Sequence, residues 1–141
     1  MHATGATEVR KNWSSVCDKV SRVSPEIIKR THDLMFLISQ SDMLSVLEHV
    51  KYDVSVFIED DGSFTVISDT MDIAENAASK DKALDLLAAS ILEYAHEYYS
   101  DYQLYSKSPN RKAHLPYITK AILLASPSKI REEFVCRNGK N

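Results

Sequence analysis

Cysteine and glycine are the scarce residues of this chain, with two and three respectively among 141. Cys17 and Cys136 lie far apart and form no CxxC pair, so neither a disulfide framework nor a zinc site is expected. Cys17, on an apolar helix face, reads as a buried structural thiol. None of the three glycines builds a phosphate-binding loop. Long apolar runs are absent: no stretch of 18 exists, and the start MHATGATEVRKNW lacks the uninterrupted apolar segment of an export signal. A cytoplasmic protein without a membrane partner is therefore expected. Catalytic signatures are equally thin. His96-Glu97-Tyr98-Tyr99-Ser100 imitates the opening of HExxH without its second histidine. Asp60, Asp61, Asp69 and Asp72 have no acid–base partner with which to make a Mg²⁺ nuclease site. No enzyme activity, metal or cofactor is expected.

What the chain does have is enough apolar residue to fold, 44% hydrophobic and 9% aromatic. Its net charge of -3 conceals a segregation. Residues 1–50 balance to zero, residues 51–105 carry a net -9, and residues 106–141 a net +6. Two explanations stand: compensation within one fold, or surfaces meant for different partners.

Periodicity supplies the elements. Val9, Trp13, Val16, Cys17 and Val20 form an apolar helical stripe, so one helix opened by Thr7 is expected from about Glu8 to Arg22. That helix would hold Arg10, Lys11 and Asn12 near its start, where bare N–H groups and the peptide dipoles favour an anion over a cation. After Pro25, Glu26–Arg30 and Leu34–Ile38 flank a tight turn at Thr31-His32-Asp33, a hairpin with Lys29, Arg30 and His32 at its tip. Ser39 and Asp42 then open a short helix to about His49, with Met43, Val46, Leu47 and Val50 as its buried side. Such a unit of about fifty residues is too small to bury a good core alone and calls for a second copy.

From Lys51 the pattern changes. Asp53–Glu59 and Ser63–Ser68 flank the turn signal Asp60-Asp61-Gly62, and a third strand is expected over Asp72–Ala77. Ser79 caps the longest helix, to about Tyr102, whose apolar face should pack on this sheet. Pro116 and Ser126-Pro127 begin two further helices, the second through about Val135, and residues 136–141 are expected to fray. The fold class is α+β: a module of helix, β-hairpin and short helix at 1–50, then a small antiparallel sheet packed by a long helix and C-terminal helices at 51–141.

The run TEVRKNWSSVCDKV, followed by EIIKRTHDLMFLIS and SDMLSVLE, resembles the amino-terminal half of the Phd/YefM family of bacterial antitoxins. The order and spacing of the S/T-E-x-R-x-N-[FLW] start, the I-x-[KT]-R strand, the apolar second strand and the short helix carry the likeness over about residues 4–49. The resemblance implies a homodimer or higher assembly that binds operator DNA ahead of its own operon, and a second half that holds a cognate toxin inactive. By the same resemblance Arg10 and Arg30 stand where that family places operator-contacting arginines. Lys11, Asn12, Lys29 and His32 are their neighbours, with Asn12 suited equally to DNA and to packing its amide against the hairpin. The strand pair and long helix of the second half distantly resemble the HicB-type antitoxin domain. If the toxin is a small basic ribonuclease, Glu59, Asp60, Asp61, Asp69 and Asp72 supply a surface that substitutes for RNA phosphate. The alternative is a protein-interaction adaptor or orphan regulator without a toxin.

Overall fold

The computed structural model describes residues 2–139, which form two units divided between Val46 and Leu47. In the first, a two-residue strand β1 (Thr4–Gly5) leads into α1 (Ala6–Lys11) and α2 (Trp13–Arg22), followed by β2 (Glu26–Arg30), β3 (Asp33–Leu37) and α3 (Gln40–Val46). The hairpin lies where the sequence places it, closed by a two-residue turn in which Thr31 takes a φ of 55°. The single first helix does not. Asn12 leaves helical geometry at φ -116° and ψ 33°, dividing the segment into two. Its side-chain amide donates to the Glu8 carboxylate at 2.7 Å and to the Glu8 carbonyl at 3.1 Å, which fixes the bend.

The sheet order is β1-β2-β3, with β1 parallel to β2 and the hairpin antiparallel. Strand alternation puts Glu26, Ile28 and Arg30 on one face and Ile27 and Lys29 on the other. Buried Glu26 accepts from Lys19 at 2.6 Å and from Thr4, and these two hydrogen bonds hold its carboxyl below the usual carboxylate range. The fully apolar interior is slight: Val9, Val20 and Ile28. Trp13, Val23, Leu34, Met35, Phe36 and Val46 are all exposed, the last contrary to the sequence reading. Ser39 caps α3 through the Asp42 amide at 3.1 Å, but α3 ends at Val46, and Leu47 and Val50 are buried in the second unit.

That second unit is built on β4 (Tyr52–Ile58), β5 (Phe64–Ser68), β6 (Ile73–Ala77), α4 (Lys80–Ser100), α5 (Tyr102–Lys107), a 3-10 turn (Lys112–His114), α6 (Leu115–Leu124), α7 (Pro127–Arg131) and β7 (Phe134–Asn138). Gly62 supplies the positive φ of 84° that the β4–β5 turn needs. The sheet order is β6-β5-β4-β7. Its first three strands are antiparallel as expected, while β7 runs parallel to β4 where the sequence reading has a helix end and a frayed tail. Gly139, just beyond β7, donates to the Val56 carbonyl at 2.7 Å, and its missing side chain leaves room for the Phe57 ring.

One face of the sheet is covered by α4, which Ser79 caps through the Lys82 amide and which buries Ala83, Leu84, Leu87, Ala88, Ile91, Ala95 and Tyr98. These meet Tyr52, Val54, Val56 and Val66 from the sheet and Ile118, Ala121 and Ile130 from α6 and α7. Full burial of a Leu or Ile side chain contributes about 1.5–3 kcal/mol, so this core, unlike that of the first unit, is self-sufficient. Tyr52 donates its hydroxyl to the Tyr117 carbonyl at 2.7 Å, and burial pushes its pKa upward.

Lys120 is also fully buried. Its ammonium donates to the carbonyls of Val50 at 2.5 Å and Leu47 at 3.2 Å and lies 3.1 Å from Glu133, which is also paired with Lys51. The basic end of the chain thus compensates the acidic middle in part: Arg131 bridges Asp81 and Asp85, and Arg137 pairs with Asp69.

Candidate nucleic-acid interface

Arg10 does not sit at the start of its helix. Because α1 begins at Ala6, both Arg10 and Lys11 occupy its last turn, where cations favour the peptide dipoles. The peptide dipoles of α1 therefore do not oppose Arg10, contrary to the expectation from the sequence. What replaces it is convergence. Arg10 from α1 and Arg30 from the end of β2 line one groove of about 830 Å³, floored by Val9 and Ile28 and walled by Trp13 and Met35.

The hairpin register explains why β2 delivers its arginine there. Ile28 pairs with Met35 and Arg30 with Asp33, so Ile28, Arg30 and Met35 share a face of the sheet. Among the described residues neither arginine has an ion-pair partner, and both are exposed. Two guanidinium forks beside one groove suit phosphate oxygens or a guanine edge.

The other sequence candidates divide. Lys11 is exposed beside Arg10, and His32 is exposed at the hairpin tip next to Arg30. Lys29, one residue from Arg30, alternates to the opposite face of the sheet. Asn12 commits its amide donors to Glu8 at the bend between α1 and α2. Trp13, from the apolar helical stripe, and Met35, from the second strand of the hairpin, are groove residues as well. Their exposure, 53% and 45%, is legible only once the hairpin register is known.

The acidic residues of the second unit do not form one patch. Glu59, Asp60 and Asp61 lie at the β4–β5 turn, and Asp69 and Asp72 at the β5–β6 turn. The five residues of β5 between them span roughly 15 Å. Asp61 binds the amide and hydroxyl of Ser63 at 2.9 and 2.6 Å, which lowers its pKa. Asp69 is engaged by Ser55 and Arg137. Asp72 holds a turn conformation with φ 55°. Among the described residues no group of three or more His, Cys, Asp or Glu side chains is placed to hold a metal ion, and no helix is long and apolar enough to cross a membrane.

The α+β chain thus joins a small, poorly buried first unit bearing an arginine-flanked groove to a second unit with its own core. Its kinship is explicit. Residues 1–135 match the PHD-like family model, described as antitoxin of toxin–antitoxin, RelE/RelB, TA system, and the chain belongs to this antitoxin family. A crystal structure from Syntrophomonas wolfei subsp. wolfei, described as the antitoxin part of a candidate toxin–antitoxin system, superposes with a TM-score of 0.93 at 30% identity, covering 99% of this chain and 100% of that one. No curated protein matches.

Proposed function

We propose that this antitoxin is a DNA-binding autoregulator of the Phd/YefM type. Its first unit, as a two-fold dimer, binds an operator ahead of its own operon, and its second unit neutralises a cognate toxin. The observation that carries the DNA reading is the convergence of two unpaired arginines, Arg10 and Arg30, on one groove. A dimer would present two such grooves to two half-sites of a pseudo-palindromic operator. Lys11 and His32 flank the pair, and Lys29 reaches phosphate only from the other face of the sheet.

Dimerisation is supported by the first unit's slight interior beside exposed Trp13, Leu34, Met35 and Phe36, an apolar surface that a second copy would cover. For the toxin, the hairpin end carrying Glu59, Asp60 and Asp61 is the acidic surface best presented to a small basic ribonuclease. Asp69 and Asp72 would belong to a separate contact at the far end of β5. The protein would work in the cytoplasm, where operator and toxin both lie.

A gel-shift titration against the DNA upstream of its own gene tests the reading, with Arg10→Ala, Arg30→Ala and the double variant as controls. Each arginine that grips a base edge or phosphate contributes about 1–3 kcal/mol, so each single variant should bind roughly tenfold or more weakly. A lost phosphate contact should also reduce the slope of log K against log salt by about 1. Unchanged affinity and salt slope in the folded double variant would refute the site.

A further inference from the structure

From Tyr102 to Arg131 the chain contains no Asp or Glu, yet it carries Lys107, Arg111, Lys112, Lys120, Lys129 and Arg131. Only Lys120 and Arg131 of these find carboxylates among the described residues. Arg111 is the unpaired cation that is held in place. Its guanidinium lies over the Tyr105 ring at 4.6 Å and beside the Tyr94 ring at 5.9 Å. The Tyr105 hydroxyl donates to Glu97 at 2.7 Å, and Tyr98, fully buried, donates to the Arg111 carbonyl at 3.1 Å. Stacking of this kind fixes a guanidinium, and although one Arg111 donor reaches the Tyr105 hydroxyl, the rest of the fork is left for another acceptor.

Those donors border a cleft of about 480 Å³ inside the second unit, lined also by Thr70, Asp72, Tyr94, Asn110 and His114. His114 binds the Tyr94 hydroxyl through Nδ1 at 2.8 Å. Burial, its main influence, pushes the imidazole pKa down, so His114 is neutral at pH 7. The cleft's charge is therefore that of Arg111 set against Asp72.

We propose that this cleft is a receptor for a singly charged carboxylate, gripped by the Arg111 fork against the Tyr94–Tyr105 wall. An arginine fork matches the two oxygens of a carboxylate. Asp72 on the same cleft disfavours phosphate, whose second charge it would repel. The carboxylate can come from a polypeptide terminus or from a small organic acid, and the two sources are separable.

Amide and side-chain NMR titrations of the full chain, following Asn110, Arg111 and His114, provide the test. The probes are butyrate, a short Gly-Ala peptide as free acid and as carboxamide, and inorganic phosphate. Saturable shifts with either acid are expected, with the free-acid peptide marking a chain terminus and butyrate alone marking a small molecule. Arg111→Met should weaken the acids about tenfold, and Arg111→Lys, which keeps charge without the fork, by less. Asp72→Asn should tighten them severalfold. Tyrosine near-UV circular dichroism verifies that each variant is folded. Phosphate binding as tightly as the acids, the carboxamide matching the acid, or affinity indifferent to Arg111→Met would overturn the proposal.

Discussion

Replacing Lys120 with methionine isolates the role of a buried cation, because methionine keeps nearly the same length and offers no donor. The wild-type ammonium is almost fully withdrawn from water and donates to the carbonyls of Leu47 and Val50. The Leu47 carbonyl also accepts from the Val50 amide at 2.9 Å, so of the two it is the Val50 carbonyl that loses its donor, at a cost of about 1–3 kcal/mol. Glu133 retains Lys51, so no carboxylate is stranded, and release from burying an ammonium returns part of the loss. A net destabilisation of about 1.5 kcal/mol follows. With a urea m-value of about 1.5 kcal/mol/M for a unit of this size, the midpoint should fall by about 1 M. The assay is unusually clean. All seven tyrosines lie in residues 47–141 and the single tryptophan in residues 1–46, so tyrosine near-UV circular dichroism follows the second unit by itself. A midpoint within about 0.3 M of wild type, or above it, would show that the charge contributes nothing net beyond an apolar side chain.

Other consequences are open to equally direct tests. Glu133 is held below the usual carboxylate range first by its hydrogen bond to Lys51 and then by Lys120. Its stabilising effect is thus present above the ordinary glutamate value of 4.5 and lost as pH falls through the lower folded value, so Glu133→Gln should flatten the acid limb of the stability–pH curve. Ala125 ends α6 in the left-handed region with φ 65°, and Ala125→Gly should raise stability by about 1 kcal/mol in thermal denaturation. Phe36→Asp, at a 59% exposed position, should convert the proposed dimer to monomer in sedimentation analysis with the second unit's tyrosine spectrum unchanged.

Local signals were legible where chemistry acts over a few residues. The caps Ser39, Ser79 and Ser126, the Asp61-Gly62 turn and the hairpin at Glu26–Leu37 all follow from side chains that bond their own backbone or from apolar alternation. The strand β7 was hidden because Phe134–Asn138 is short, follows a capped helix and gains its partner 82 residues away, at Tyr52. The bend at Asn12 was hidden because the apolar stripe continues across it at helical spacing, while the amide that fixes it looks like any exposed polar residue. At the groove, Arg10 and Arg30 were found through family resemblance. Their facing Trp13 and Met35 required the strand register. Arg111 left no sequence mark beyond the lack of acids around it.

The parallel pairing of β7 on β4 also governs the order of events during synthesis. The ribosome releases β4, β5 and β6 long before Phe134–Asn138, so until that last strand emerges β4 is a rim of the sheet with one row of backbone groups unpaired. A protease that trims these residues from the finished protein would recreate the same unfinished rim. The persistence of the second unit is therefore tied to β7, whose loss would bare the backbone of β4 and take Phe134 away from the Tyr52 ring.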